Sequence, residues 1–215
     1  MKLGSQLNTH IHRPDRRAHR LDAGGWLPML PLDLRPGVGS ELMQAKVMTG
    51  WMRESASLTA RLQTFGVTKV MRVRQCRAVP NRDERWFLGA TMRRPLTQTL
   101  MVREVVLKVD GVAWVFAHTL ANAAAMRLLR RAGRNALAVV LFTDPQVNAG
   151  PLQYRRVDGR HPLYRAARSW SVDASVRNPL SLMARRALFT CGAARLLVTE
   201  VFLPPAVDAQ LMPYR

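Results

Sequence analysis

The chain has 215 residues, 48% of them hydrophobic, and its 33 Lys and Arg against 14 Asp and Glu give a formal net charge of +19. This hydrophobic fraction supports a packed core and excludes a globally disordered chain. The positive charge favours an anionic partner, such as nucleic acid, a membrane surface or a small anion. The surplus of arginine over lysine has two equally good explanations, a coding bias or a need to bind phosphate or carboxylate groups.

The first segment, residues 1–39, is predicted to be a basic N-terminal extension that is irregular or partly disordered, because Gly and Pro interrupt it repeatedly. It has no apolar stretch of the length that a secretory signal requires. Three histidines lie on this segment with no cysteine nearby and few carboxylates, so no metal site is expected there: His10, His12 and His19.

Neither a membrane span nor a disulfide framework is predicted for this chain. No apolar run approaches the roughly 18 to 20 residues needed to cross a bilayer. Cys76 and Cys191 lie far apart and lack the spacing of a zinc site or a disulfide framework. We therefore expect a cytoplasmic protein with no transmembrane segment.

Two helices and a strand are predicted after the extension. Ser40 is a good N-cap for a helix that begins at Glu41 and ends before Gly50. A second short helix is expected over residues 57–63. Apolar and other residues alternate over 67–76, which predicts a strand.

The middle of the chain is predicted to contain a β-hairpin. A loop over residues 80–83 and a strand over 86–92 precede it. Two β-branched runs, 100–109 and 112–120, then flank Asp110-Gly111. Because Asp-Gly between two such runs is the strongest short hairpin signal, these runs are expected to pair.

A second hairpin is predicted near the C-terminus. An alanine- and leucine-rich helix over 123–132 and a short buried segment over 136–142 come first, followed by a basic insertion at about 143–182 that Pro and Gly break up. Residues 184–191 and 195–203 then have the pattern of paired antiparallel strands.

These elements predict an α+β fold. Hairpins flanked by helices, with no repeated βαβ alternation, indicate a mostly antiparallel β-sheet. We expect a single domain over residues 40–208, with the insertion at about 143–182 inside it. No helix-turn-helix is predicted before the domain, since residues 1–39 are rich in Gly and Pro.

Charged residues interrupt two otherwise apolar strands. Arg103 and Glu104 point to opposite faces of one strand, and Glu200 is embedded in the last one. Either the charges form an internal ion pair or point from edge strands into water, or they line a dry cavity. Such a cavity suits a small ligand with an anionic group at one end and a hydroxyl at the other.

The order of the segments over residues 45–206 follows the pattern of a known family. Its most specific parts are the Arg-Glu strand and the Thr-Glu-Val-Phe-Leu-Pro ending. The matching pieces are Trp51, Ser57-Leu58-Thr59-Ala60-Arg61-Leu62, Val102-Arg103-Glu104-Val105-Val106-Leu107, Asp110-Gly111, Trp114, Gly133, Ala136-Leu137, Leu141-Phe142, Arg185-Arg186 and Leu196 to Pro204. On these pieces the chain resembles the chorismate lyase (chorismate pyruvate-lyase) family.

The resemblance implies a carbon–oxygen lyase that converts chorismate to 4-hydroxybenzoate and pyruvate at the start of bacterial ubiquinone biosynthesis. It implies a chorismate lyase-like fold with a buried ligand cavity on an antiparallel sheet. Because forming an aromatic ring makes the reaction strongly downhill, no metal, nucleotide or other cofactor is expected. A monomer is expected, with chorismate and 4-hydroxybenzoate as its ligands and no obligate nucleic acid.

The resemblance also assigns site residues. Arg103 corresponds to the arginine that holds the ring carboxylate, and Glu200 to the glutamate that faces the ring hydroxyl. These two are the expected catalytic residues. The backbone amides of Leu58 and Leu137 are expected to complete the carboxylate site.

Two further contacts are expected from the same resemblance. Arg185 or Arg186 is expected to neutralise the enolpyruvyl carboxylate. His118 stands where the family commonly has arginine, so a second cationic contact is expected to be weaker or pH-dependent. Met183 and Ala187 also depart from the family pattern of Trp and Ser around the paired arginines.

A non-catalytic function is the alternative hypothesis to the enzymatic one. The same fold is similar to effector-binding domains of bacterial transcription regulators, which bind small molecules. In that reading the chain is a binding domain for a small aromatic acid or another effector, with nucleic-acid affinity from its basic surface.

Overall fold

The structure, a computed structural model, describes residues 25–28, 48–54, 57–92, 99–133, 137–171 and 179–208. The predicted N-cap Ser40 lies outside these ranges, as does most of the 1–39 extension. Residues 48–53 are helical, so the prediction that this helix ends before Gly50 is wrong. The helix predicted over 57–63 is confirmed as α1, Leu58–Gln63, capped by the Ser57 hydroxyl.

The α+β prediction is confirmed, because the described strands form one antiparallel sheet of seven. In chain order they are β1 (Thr68–Ala78), β2 (Leu100–Val109), β3 (Val112–Ala121), β4 (Asn148–Ala149), β5 (Gln153–Asp158), β6 (Ser181–Cys191) and β7 (Ala194–Phe202). Their order in the sheet is β1-β2-β3-β7-β6-β4, and β5 also pairs with β6.

Both predicted hairpins are confirmed. Asp110 and Gly111 join β2 to β3 with φ values of 49° and 84°, the left-handed backbone that a two-residue turn of this kind requires. The β2–β3 register shifts between Leu107 and Lys108. Gly192 and Ala193 join β6 to β7, and Arg185 consequently lies opposite Glu200.

The strand predicted over 86–92 is wrong, because these residues belong to the helix α2, Arg82–Met92. The predicted loop over 80–83 also ends early for this reason. A reciprocal cap starts the helix: the Glu84 amide donates to Asn81 Oδ1 at 3.0 Å, and the Asn81 amide donates to Glu84 Oε2 at 2.9 Å. This pairing satisfies two backbone donors that otherwise lack a partner at a helix start.

The segment over 143–182 contains regular structure between its Pro and Gly residues. It supplies β4, β5 and the helix α5, Pro162–Arg168. The remaining described helices are α3 (Met126–Ala132), which follows a turn of 3-10 helix at Ala123–Ala125, α4 (Leu137–Thr143) and α6 (Pro204–Asp208).

Both faces of the sheet are covered. On one face, residues 48–53 and α1 pack at one end, and α3 and α4 pack at the other. On the opposite face lie α2, α5 and Trp26. The two helical groups on the first face leave a space between them above the centre of the sheet.

Among the described helices none is long and apolar enough to cross a membrane. The longest of them, α2, has 11 residues.

Candidate active site

A cavity of about 490 Å³ lies on the first face of the sheet, between α1 and α4. Apolar side chains from β2, β3, β6, β7 and α4 make up most of its wall. Its polar lining comes from Glu54, Thr59, Arg103, Thr119, Tyr154, Arg185 and Glu200. A largely apolar cavity with a few polar groups is the usual form of a small-molecule site.

Arg103 lies at one corner of this cavity, on β2. Its side chain shares a face with Val105 and Leu107, and the residue is only 2% exposed. Burial lowers the pKa of Arg103, and the nearby positive charge of Arg72 lowers it further. Arginine nevertheless stays charged at neutral pH, so the cavity contains a fixed cation.

Glu200 and Arg185 lie at another corner and form an ion pair. Arg185 Nε donates to Glu200 Oε2 at 2.6 Å. Arg185 Nη1 donates to the backbone oxygens of Trp51, at 3.0 Å, and Glu54. The helical segment 48–53 and the residue after it therefore hold this guanidinium in place.

The sheet register separates Arg103 from Glu200. Arg103 lies opposite Thr119 of β3, whereas Glu200 of β7 lies opposite Ala117. The two residues are thus two strands apart and displaced by two residues, or roughly 10 Å across the strands and 7 Å along them. Val105, Ala117 and Val198 form an apolar floor between them. The arrangement fits a small ring held at two ends.

Leu58 and Leu137 also line the cavity, each as the first residue of a helix. The first backbone N–H groups of a helix have no acceptor within it. The two residues whose amides the resemblance assigns to carboxylate binding therefore line the same cavity.

Arg186 faces the opposite side of the sheet. It is 1% exposed, and its guanidinium carbon lies 4.3 Å from the ring centre of Trp26 and 4.2 Å from that of Phe87. Its Nε donates to Gln153 at 2.8 Å, and its Nη1 donates to Asp83 at 3.4 Å. These contacts join α2 and Trp26 to the sheet, away from the cavity.

His118 is likewise on the opposite face. Its Nδ1 lies 3.0 Å from Glu104 Oε1, and its Nε2 lies 3.3 Å from Glu84 Oε1. Burial disfavours the charged ring, but hydrogen bonds and charge from Glu104 and Glu84 outweigh burial and raise the pKa of His118 to about 9. Arg74 also lies 3.8 Å from Glu104. His118 thus joins α2 to β2.

Sequence reasoning did not identify four polar residues of the cavity: Glu54, Thr59, Thr119 and Tyr154. Thr119 is opposite Arg103, and Tyr154 is opposite Arg185. Glu54 follows the 48–53 helix and pairs with Arg61 at 3.4 Å. Because residues two apart on a strand share a face, Thr119 could have been expected on the same face as Ala117. No sequence signal placed Tyr154 or Glu54 beside these strands.

No group of three or more potential metal ligands occurs among the residues that the structure describes. His10, His12 and His19 lie outside those residues.

A known family and several of its members match most of the chain. The family described as Chorismate lyase matches residues 39–211. A "Probable chorismate pyruvate-lyase" of Thiobacillus denitrificans is 36% identical over 84% of this chain and 89% of that protein. One of the same name from Aromatoleum aromaticum is 32% identical over 97% of this chain and 98% of its own length. Among solved structures, PhnF from Mycobacterium smegmatis is similar with a TM-score of 0.49 and 13% identity, over 72% of this chain and 66% of that one.

Proposed function

The chain belongs to the chorismate lyase family, and we propose on this basis that it is a chorismate pyruvate-lyase, a carbon–oxygen lyase that converts chorismate to 4-hydroxybenzoate and pyruvate. The observation that carries the proposal is the cavity that Arg103 and Glu200 enter from two corners. Its product would serve ubiquinone biosynthesis.

The substrate is oriented by charge at one end and hydrogen bonding at the other. Arg103 binds the ring carboxylate of chorismate, because a guanidinium matches a carboxylate with two parallel hydrogen bonds. The amides of Leu58 and Leu137 add donors to the same carboxylate. Glu200 accepts a hydrogen bond from the ring hydroxyl at the far end. The apolar floor between them contacts the ring.

The reaction needs little beyond this orientation. When the bond between ring carbon 3 and the ether oxygen breaks and carbon 4 loses its hydrogen, the ring becomes aromatic. The protein holds the substrate in one geometry and excludes water, and its fixed charges stabilise the leaving group. Glu200 lies at the carbon 4 end, where a carboxylate is placed to accept the departing proton.

The same proposal covers the domain boundary, the basic segments, the localisation and the oligomeric state of the protein. The lyase domain begins near residue 40, and the extension and the 143–182 segment add positive charge that attracts a small dianion toward the cavity. The protein acts as a cytoplasmic monomer.

Turnover separates this proposal from the effector-binding alternative. Purified protein is titrated with 4-hydroxybenzoate by calorimetry and then incubated with chorismate, with chromatographic detection of the product. A lyase both binds and forms 4-hydroxybenzoate faster than the uncatalysed reaction. Binding without turnover, together with salt-dependent DNA binding at physiological ionic strength, would instead support the regulator-type domain.

A further inference from the structure

We propose that Arg185 is a catalytic residue that binds the enolpyruvyl carboxylate of chorismate and stabilises the negative charge on the departing enolate. This inference rests on the proposed function and adds a second anion site to the same cavity. Arg185 lines the cavity, yet it is only 3% exposed.

The hydrogen-bond inventory of Arg185 leaves donors for a ligand. A guanidinium has five N–H groups. Three of them account for the bonds from Nε to Glu200 and from Nη1 to the oxygens of Trp51 and Glu54. Nη2 makes no hydrogen bond to another described residue, so its two N–H groups can donate to a ligand in the cavity.

Substrate chemistry places the enolpyruvyl group beside this guanidinium. With the carboxylate on ring carbon 1 at Arg103, the hydroxyl on carbon 4 reaches Glu200. The enolpyruvyl ether is attached to carbon 3, next to carbon 4, so it lies at the Glu200 end. There Arg185 is already within 2.6 Å of Glu200, which makes it the adjacent cation.

The neighbouring arginine does not fulfil this role. Side chains alternate between the two faces of a strand, so Arg186 points away from the cavity. Its guanidinium lies between Trp26 and Phe87 and bonds to Asp83 and Gln153. The structure therefore selects Arg185 from the pair.

The bond changes balance without a co-reactant. The bond between carbon 3 and the ether oxygen breaks, and its electron pair stays on that oxygen as an enolate next to Arg185. The electrons of the bond between carbon 4 and hydrogen enter the ring, and the proton goes to a base. Protonation of the enolate at its CH2 carbon then gives pyruvate. A fixed cation is most effective where charge develops during the reaction.

A ligand comparison tests this role in the wild-type protein. The probes are 4-hydroxybenzoate and 3-(carboxymethoxy)-4-hydroxybenzoate, an aromatic analogue with an ether-linked second carboxylate. We expect the dicarboxylate to inhibit at least about tenfold more tightly, since two anion sites are filled instead of one. Equal inhibition by the two compounds in an active enzyme would overturn the inference.

Variants extend the same measurement. Arg185→Lys keeps a positive charge and Arg185→Gln removes it, with Arg77→Gln on the exposed surface of β1 as the matched control. We expect kcat/KM to fall about tenfold in the lysine variant and a further tenfold in the glutamine variant. The inhibition constant of 4-hydroxybenzoate should change much less.

The outcomes separate this inference from the proposed function. A merely structural role of Arg185 would weaken both inhibitors and kcat/KM in parallel, and that result would overturn the inference. If a variant fails to fold, the wild-type comparison of the two inhibitors decides the question. Failure of the wild-type protein to turn over chorismate would contradict the proposed function itself.

Discussion

Arg185 and Arg186 are consecutive in the chain, but their guanidinium groups lie on opposite faces of the sheet. Arg185 pairs with Glu200 inside the cavity, at 2.6 Å, whereas Arg186 is stacked between Trp26 and Phe87. One arginine therefore belongs to the proposed chemistry. The other joins the layer of α2 and Trp26 to the sheet.

Replacing Arg103 should remove the anchor for the ring carboxylate. We expect Arg103→Gln to lower kcat/KM about a hundredfold or more, which corresponds to roughly 3 kcal/mol for a buried charged contact. The Arg77→Gln variant of β1 is the control, since Arg77 is exposed and, among the described residues, donates hydrogen bonds only to Thr99. Steady-state kinetics with chorismate measure the effect, and a fully active Arg103→Gln enzyme would place the anchor elsewhere.

Replacing Glu200 should separate binding from proton transfer. Glutamine in its place still accepts a hydrogen bond from the ring hydroxyl but does not accept a proton. We expect Glu200→Gln to lower kcat about a hundredfold, within the usual range for a general base, and to change the inhibition constant of 4-hydroxybenzoate far less. If the inhibition constant of 4-hydroxybenzoate rises by the same factor as kcat falls, Glu200 acts only in binding.

Protonated His118 should stabilise the fold in a pH-dependent way. Burial opposes its charge, but Glu104 and Glu84 raise the pKa of His118 to about 9, above the ordinary value of 6.5. The stabilisation is therefore full below pH 6.5, decreases as the pH rises, and is lost above about pH 9. Its size is roughly 3 kcal/mol.

Urea unfolding of the wild type and His118→Gln, measured between pH 6 and 10, checks this prediction. The difference in unfolding free energy between the two proteins should shrink across that interval. A difference that stays constant with pH would mean that His118 is not charged in the folded state.

The contact of Trp26 with the sheet should contribute to stability. Trp26 is 1% exposed, lies on Arg186, and donates from Nε1 to Asp83 at 2.7 Å. We expect Trp26→Ala to cost roughly 3 to 5 kcal/mol of unfolding free energy. Trp26→Phe should keep the ring contact and lose only the hydrogen bond, at about 1 kcal/mol.

The same variants test a link between this segment and the cavity. Leu27 pairs with Tyr154, and Pro28 lines the cavity wall. The KM for chorismate should therefore rise in Trp26→Ala and stay near the wild-type value in Trp26→Phe. An unchanged KM in both would show that residues 25–28 do not shape the site.

Much of the sheet was predictable because its turns are explicit in the sequence. The Gly192-Ala193 turn places Cys191 opposite Ala194, and counting back along both strands places Arg185 opposite Glu200. The pairing of Arg185 with Glu200, which distinguishes Arg185 from Arg186, could therefore have been predicted from the sequence. Arg103 and Glu200 were recognisable because charges are costly within apolar strands.

The other hairpin shows why counting was insufficient elsewhere. Counting straight from Asp110-Gly111 puts His118 opposite Arg103. The register shift between Leu107 and Lys108 instead puts Thr119 there and His118 opposite Glu104. A bulge of this kind has no clear signature in a single β-branched strand.

The helix α2 was missed for a different reason. Its short run of aromatic and aliphatic residues fits either a strand or a helix, and a run this short does not distinguish the two. The reciprocal bonds of Asn81 and Glu84 determine where the helix begins, and the Asn-x-x-Glu spacing was the available signal. Contacts of residues distant in the chain, such as Tyr154 with the cavity, required the structure.

Simultaneous measurement of pyruvate and 4-hydroxybenzoate during incubation with chorismate tests the central claim most directly. A lactate dehydrogenase coupled assay follows pyruvate, and chromatography follows the aromatic product. The account predicts equal initial rates for the two products, in proportion to protein concentration and well above the rate without protein. Rates no higher than those of chorismate alone would contradict it.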